Sequence, residues 1–242
     1  MPRAPILIAA LALFASAAWA NSARAEIGPC APAVFDLICG KGNGAARVIV
    51  KTISPSKRLA FAWRLAKRPP GAVPDDNADD LENFVIRIAD GAVLAKSHGA
   101  YWDLGTKIAK AYLMTAWSPD SRLLVKVEQR AESVSAEVFS FASDDAVVGP
   151  VDFTNVIKTA LQAKEGVANS TDSLLVFTAI PAITMDDRGS FHATVRLRRK
   201  EDAVDGPTYD VAGQATRTAN TLNVNVVSIA PHEGVGISII VH

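Results

Sequence analysis

Histidine is the side chain best suited to acid–base and metal chemistry near neutral pH, and this 242-residue chain contains four. They are His98, His192, His232 and His242. Their spacing forms no H-x-x-x-H zinc pattern, and no G-x-S-x-G motif marks a nucleophilic serine. A Ser-His-Asp triad remains open, because its members need not be neighbours in the sequence.

An acidic cluster is the best candidate for a metal site. Asp75, Asp76, Asp79 and Asp80 lie in a Pro- and Asp-rich stretch, and carboxylates at this spacing in a loop can converge on Ca²⁺. The stretch departs from an EF-hand loop, since Asp80 stands where the glycine is needed and the bidentate glutamate is missing. The alternative is a solvated surface loop that binds no metal.

Tyr101 and Trp102 are the best candidates for a ligand-binding surface. They lie between Gly99 and Gly105 in a stretch that is typical of a loop. Aromatic residues that a rigid scaffold presents on a loop often contact ligands. Packing against the core is the alternative for both residues.

The N-terminal segment predicts export. Residues 1–25 contain Arg3, an apolar run over 6–18 and two A-x-A cleavage sites, which is the layout of a secretory signal peptide. The apolar run is shorter than the roughly 20 residues of a spanning helix, so we expect no integral membrane segment after cleavage. We expect residues 26–242 to form a single β-rich domain that is periplasmic in a Gram-negative host, or otherwise secreted.

The two cysteines, Cys30 and Cys39, are expected to form a disulfide. Export would place them in an oxidising compartment, where disulfides persist. Their spacing is wider than the C-x-x-C of a redox pair, which is the alternative. A bond across so short a loop contributes about 2 to 3 kcal/mol and would pin the start of the mature chain.

The charge balance limits the possible partners. The chain has 25 basic and 25 acidic residues, whereas a nucleic-acid groove needs a basic excess to neutralise phosphates. We therefore expect no nucleic acid, and a protein or small molecule as the unknown partner.

The elements that must position these side chains are mostly strands. β-Branched and apolar residues recur between turns rich in Gly, Pro, Asp and Ser. The predicted strands are 46–53, 58–65, 84–88, 93–94, 122–129, 136–141, 174–180, 222–229 and 236–241. One helix is predicted near 154–164, where the apolar residues return at helical spacing.

Part of this pattern repeats. The turn and strand at Ser54-Pro55-Ser56-Lys57 match those at Ser118-Pro119-Asp120-Ser121, 64 residues later. A third, fainter copy begins near Met185. The predicted repeats cover about 46–95, 110–149 and 183–213.

The Trp-Ser-Pro-Asp-Ser stretch, Trp117 to Ser121, resembles the blade signature of TolB-type and WD-like β-propellers. The resemblance covers about 30 residues and implies antiparallel hairpins. Propellers repeat about every 40 to 50 residues and need at least four blades, so a closed propeller does not fit the 64-residue interval. We expect an incomplete propeller or a β-sandwich built from blade-like hairpins; a common hairpin turn without repeats is the alternative.

The strand after this turn alternates between two faces. Leu123, Val125 and Val127 are predicted to share one face. Leu124, Lys126 and Glu128 are predicted to share the other face.

Taken together, these features favour an exported, non-enzymatic binding or interaction protein. The alternatives are a secreted hydrolase whose triad is assembled across loops, and an inhibitor of an extracytoplasmic enzyme such as a lysozyme.

Overall fold

A computed structural model describes residues 27–34, 36–75, 78–105, 107–131, 133–143, 145–165, 173–178, 183–199 and 205–233. The predicted signal peptide and the strand predicted at 236–241 lie outside these residues. The described chain is mainly β, with antiparallel sheets and a helix near the predicted position, so the predicted fold class is confirmed.

The first sheet is a six-stranded antiparallel meander. Its strands are β1 (Cys30–Pro32), β2 (Leu37–Cys39), β3 (Ala46–Val48), β4 (Leu59–Leu65), β5 (Leu81–Arg87) and β6 (Val93–Ser97). The strand predicted at 46–53 is shorter than expected, because a 3₁₀ turn over Val50–Thr52 follows β3. Cys30 and Cys39 face each other across β1 and β2 and form the predicted disulfide.

The second sheet has four antiparallel strands and leads directly into the helix. Its strands are β7 (Tyr112–Trp117), β8 (Leu123–Gln129), β9 (Val134–Phe141) and β10 (Val147–Asp152). Helix α1 (Phe153–Glu165) follows, and the Asp152 carboxylate accepts a hydrogen bond from the Asn155 backbone N–H at 2.9 Å. This N-cap satisfies one of the donors that the first turn of a helix leaves unpaired.

The third sheet completes the described chain. Its strands are β11 (Ser173–Phe177), β12 (Ile183–Met185), β13 (Ser190–Arg199), β14 (Asp205–Arg217) and β15 (Leu222–Pro231). β13 pairs with β11 and β12 on one side and with β14 on the other, and β15 pairs with β14. Within the described residues, none of the three sheets closes on itself.

The second sheet lies between the other two, and both of its faces are covered. Leu123, Val125 and Val127 pack in an apolar layer with side chains of the third sheet and helix α1. Leu124 packs in a second layer with Phe61 and other side chains of the first sheet. The division of β8 into two faces therefore agrees with the sequence pattern, but neither face is exposed to solvent.

The two Ser-Pro turns have the same hydrogen-bonding pattern. In the first, the Ser54 hydroxyl accepts from the Leu59 N–H at 3.1 Å; in the second, the Ser118 hydroxyl accepts from the Leu123 N–H at 2.9 Å. The fourth residue of each turn has positive φ, 59° in one and 63° in the other. The turns touch, because the Ser56 N–H donates to the Ser121 hydroxyl at 2.9 Å.

The turn at Asp186 has a closely related geometry. The Asp186 carboxylate accepts from the Ser190 N–H at 2.8 Å, and Gly189 has a φ of 80°. This turn contacts the second one, since the Asp120 N–H donates to the Asp187 carboxylate at 2.7 Å. Three similar turns thus lie side by side at one end of the stacked sheets, while the internal repeats and the likeness to propellers stay predictions.

No helix in the described part of the chain is both long enough and apolar enough to cross a membrane.

Candidate functional site

A cluster of charged side chains is buried between the first and second sheets. The cluster consists of Lys126, Glu128 and Glu137, and each side chain is at most 5% exposed. Strand register explains how they meet, because Lys126 on β8 lies opposite Glu137 on β9, and Glu128 follows two residues along the same face. We call these three residues the charge cluster.

Lys126 is the centre of the charge cluster. Its Nζ lies 3.5 Å from Glu128 Oε2 and 3.5 Å from Glu137 Oε2, and 5.8 Å from the centroid of the Phe61 ring. The amine therefore has two carboxylates and an aromatic face around it in place of water. Buried charges are tolerated only with such compensation.

The loop over residues 97–101 covers the charge cluster. Lys126 Nζ donates to the His98 carbonyl, and the Ala100 N–H donates to Glu128 Oε1 at 3.2 Å. Arg130 donates to the Ala100 carbonyl at 3.0 Å and also pairs with Glu128. Buried side chains of the second sheet thus bind the backbone of this loop directly.

Gly99 is required by the close approach of this loop to the cluster. Its φ is 123°, and a Cβ at this position would lie 2.0 Å from Glu128 Oε2. Glu128 Oε2 is itself buried without a hydrogen bond in the described residues, so its compensation is the charge of Lys126. A side chain at position 99 would push the loop away from the charge cluster.

His98 and Glu137 form a close pair at the edge of the charge cluster. His98 Nδ1 lies 2.8 Å from Glu137 Oε1, and the Ser97 hydroxyl donates to Glu137 Oε2 at 2.6 Å. Because an ionised carboxylate can only accept, it favours the tautomer in which Nδ1 carries the proton. The Nε2 of the neutral ring then offers a lone pair, and the His98 side chain is 86% exposed.

A cleft of about 540 Å³ opens beside this pair. It lies between β9, β10 and the first turns of helix α1, where a bulge shifts the pairing of β10 between Val148 and Val151. Its polar lining residues are His98, Ser135, Glu137, Asp152, Thr154, Asn155 and Lys158. The cleft therefore joins the exposed imidazole to the N-terminus of helix α1, whose dipole favours the negative charge that Asp152 supplies there.

Several polar groups of the cleft have no partner among the residues that the structure describes. The Thr154 hydroxyl is engaged, because it accepts from the Ala136 N–H at 2.8 Å. The Lys158 amine, the Asn155 side-chain amide and the Ser135 hydroxyl, in contrast, make no hydrogen bond or ion pair with the described residues. All three can donate a hydrogen bond, so the cleft offers donors to an occupant.

Tyr101 and Trp102 do not line this cleft. Tyr101 is 1% exposed, and its hydroxyl lies 3.3 Å from Asp103 Oδ2. Burial, with the Asp103 carboxylate nearby, raises the pKa of Tyr101. Trp102 packs on Trp63 with the ring centroids 6.4 Å apart. Both residues contribute to the apolar layer between the first two sheets, as the packing alternative expects.

Arg68 lies among the carboxylates of the acidic loop. Arg68 lies 2.6 Å from Asp80 Oδ1 and 3.5 Å from Asp75 Oδ2, and its hydrogen bond lowers the pKa of Asp80. Asp79 has no such ion pair, and Asp76 lies outside the described residues. No three His, Cys, Asp or Glu residues of the described chain are grouped to hold a metal ion, and the Ca²⁺ site stays a prediction.

The other two described histidines lie away from the cleft. His232 Nδ1 is 2.9 Å from Asp210 Oδ1, His192 is exposed on β13, and His242 lies outside the described residues. Among the described residues no imidazole is hydrogen-bonded to a serine hydroxyl. The structure thus contains two histidine–carboxylate pairs without the serine that would complete a triad.

Sequence reasoning did not identify the charge cluster, Glu137 or Lys158. Lys126 and Glu128 alternate with apolar residues, which is the pattern of a strand with one solvated face. The available signal was the predicted repeat, because repeated hairpins imply stacked sheets. A strand in the middle of such a stack has both faces buried, and charged residues are unusual there.

No protein-family model, curated protein or solved structure matches this chain.

Proposed function

We propose that this is an exported, non-enzymatic binding protein whose cleft holds a small anionic ligand that also carries a hydroxyl or amine. The signal-peptide pattern of residues 1–25 supports export to the periplasm or the medium. The single observation that carries the binding proposal is the set of donors in the cleft that have no partner among the described residues, above all the amine of Lys158.

The Lys158 end of the cleft favours an anionic group on the ligand. Lys158 supplies a positive charge, and Asn155 supplies an amide donor beside the N-terminus of helix α1. The Asp152 carboxylate also lines the cleft, where it caps that N-terminus by accepting from the Asn155 N–H at 2.9 Å. The charge of Glu137 is offset by Lys126, which lies behind it. A carboxylate or phosphate placed at Lys158 would therefore gain a charge-assisted hydrogen bond that a cation would not.

The pair of His98 and Glu137 adds a second requirement. With Nδ1 protonated, the Nε2 of neutral His98 accepts a hydrogen bond, so a hydroxyl or amine of the ligand has a partner there. The cleft volume of about 540 Å³ lies in the range of small-molecule sites, roughly 300 to 1,000 Å³. A hydroxy acid is thus the simplest ligand that meets both requirements.

Malate and succinate test this proposal, because they differ by one hydroxyl. Isothermal titration should give malate a dissociation constant of about 1 mM or tighter and succinate an affinity roughly fivefold lower, the value of one neutral hydrogen bond. Lys158→Gln should weaken both at least about tenfold. Lys110→Gln, which removes the same charge from an exposed position outside the cleft, should change neither. Absence of binding at 10 mM malate, or equal losses in both variants, would contradict the proposal.

A secreted hydrolase is the second candidate function, and one observation favours it. Glu137 holds the His98 ring with Nε2 available as a base, and Ser135 lines the same cleft. Release of nitrophenol from p-nitrophenyl acetate, abolished in Ser135→Ala and in His98→Gln but kept in Lys110→Gln, would support this function. A rate of nitrophenol release equal to that in buffer alone would exclude hydrolysis of activated esters as the function.

A further inference from the structure

We propose that Lys126 and Glu128 are positioning residues, which hold the 97–101 loop in one conformation and so fix His98 at the cleft. The consequence for ligand selection rests on the proposed function; the positioning itself does not. Neither residue lines the cleft, so both would act through the loop and through Glu137.

The hydrogen bonds of the loop show how positioning would work. The His98 carbonyl accepts from Lys126, the Ala100 N–H donates to Glu128, and the His98 N–H donates to Glu137 Oε1 at 3.3 Å. Tyr101 is fixed in the same way by Asn83, which exchanges two hydrogen bonds with its backbone, at 2.9 and 2.7 Å. Residues 98, 100 and 101 of the loop are thus bound by buried side chains of three different strands.

Energetics favour conformational specificity over stability as the role of the charge cluster. A buried ion pair contributes little net stability, and apolar residues of similar volume often replace it without loss. The surrounding layer, with Phe61, Leu124 and Phe139, is the kind of environment in which apolar replacements would pack well. Apolar side chains, however, offer no donor to the His98 carbonyl and no acceptor to the Ala100 N–H.

Fixing the loop also fixes the chemistry of the imidazole. Lys126 holds the Glu137 carboxylate from behind, and that carboxylate binds His98 Nδ1. A loop that moved would release the ring from Glu137, and Nε2 would no longer be held as an acceptor. The discrimination between a ligand with a hydroxyl and one without it would then disappear.

The double variant Lys126→Met/Glu128→Leu tests the proposal. Long-range ¹H–¹⁵N spectra at pH 8 report the tautomer of each neutral imidazole, and His98→Gln assigns the signals of His98. We expect the wild-type protein to show His98 protonated at Nδ1, and the double variant to lose this tautomer. The roughly fivefold preference for malate over succinate should fall to about one, while the affinity for succinate stays within about twofold.

Thr52→Val is the matched control. Thr52 is a buried polar residue near the same pair of sheets, and it bonds to the backbone of Phe61 instead of the loop. This variant should lose stability but keep both the tautomer and the preference for malate. A change of tautomer in this control would show that any disturbance of the interior moves His98, which would overturn the proposal.

The remaining outcomes are also decisive. A folded double variant that keeps the Nδ1-protonated tautomer overturns the proposal. If the double variant does not fold, Arg130→Met replaces it, because Arg130 is 35% exposed and holds both Ala100 and Glu128. We expect this variant to lose part of the tautomer signal, and an unchanged signal overturns the proposal. Because the tautomer is read without ligand, failure of malate to bind would refute the proposed function alone.

Discussion

Lys126→Met should be among the most destabilising single substitutions in this protein. The methionine keeps the length and apolar stem of lysine but removes the charge, so the two carboxylates that lie 3.5 Å from Nζ stay buried and lose the cation between them. Glu128 keeps only Arg130 as a cationic partner, and Glu137 keeps only its contacts with Ser97 and His98. Removing one partner of a buried ion pair costs about 3 to 5 kcal/mol. The His98 carbonyl also loses its donor, which is included in that range.

The structure offers a matched control at Lys96. Its Nζ lies 3.4 Å from Glu82 Oε1, but the lysine side chain is 78% exposed. Exposed ion pairs contribute about 0 to 1 kcal/mol, so Lys96→Met should have little effect. The two substitutions are chemically identical, and both lysines pair with glutamate. Their difference therefore isolates the effect of burial.

Urea unfolding followed by tryptophan fluorescence measures both effects, since Trp63 and Trp117 pack in the layer beside the charge cluster. In thermal unfolding of a domain of this size, each kcal/mol of lost stability lowers Tm by about 2 to 4 °C, so Lys126→Met should lower Tm by about 6 to 20 °C. The m value, which is the dependence of the unfolding free energy on urea concentration, should stay unchanged. A loss below about 1 kcal/mol, or a loss equal to that of Lys96→Met, would refute the assignment of Lys126 as a buried, compensated charge.

Three further predictions concern the same sheets. Asp145→Asn should cost about 2 kcal/mol in urea unfolding, because the buried carboxylate binds Arg58 at 2.8 Å and Arg87 at 3.1 Å; a loss below about 0.5 kcal/mol would contradict this. Gly99→Ala should cost about 1 to 3 kcal/mol and remove the preference for malate, since the added Cβ would lie 2.0 Å from a carboxylate oxygen of the charge cluster; wild-type behaviour in both assays would show that the loop tolerates a side chain. Hydrogen bonds from Arg87 hold the pKa of Asp90 below its ordinary value, so the pair stabilises the protein at neutral pH and loses this effect as pH falls from about 4 through the lowered pKa. The stability difference between the wild-type protein and Asp90→Asn should therefore shrink as pH falls below about 4, and a difference that does not shrink is the contrary result.

Local sequence patterns predicted most of the secondary structure. The Ser-Pro turns, the alternation in β8 and the apolar spacing in helix α1 are short-range signals. In each case the residues that form the pattern also cause the local structure. The disulfide was predictable for a similar reason, since it needs only two cysteines and an oxidising compartment. β10 was missed because Gly149 and Pro150 interrupt its apolar run and resemble a loop.

The candidate site depends on contacts between residues far apart in the sequence. Glu137 lies 39 residues from His98, and Lys158 reaches the cleft only because helix α1 begins directly after β10. Lys126 is buried because three sheets stack on one another, and this stacking cannot be predicted from any short stretch of the sequence. Tyr101 was misjudged for the same reason, because its loop position between glycines did not reveal that its ring is buried.

Titration of the ¹⁵N-labelled protein with malate shows whether the cleft is where the ligand binds. If the cleft is the ligand site, the amide signals that move should be those of residues 97–101, 134–137 and 152–158. The signals of the acidic loop over residues 78–80 should stay in place. Shifts confined to that loop or to Trp102, or no shifts at 10 mM malate, would contradict the account.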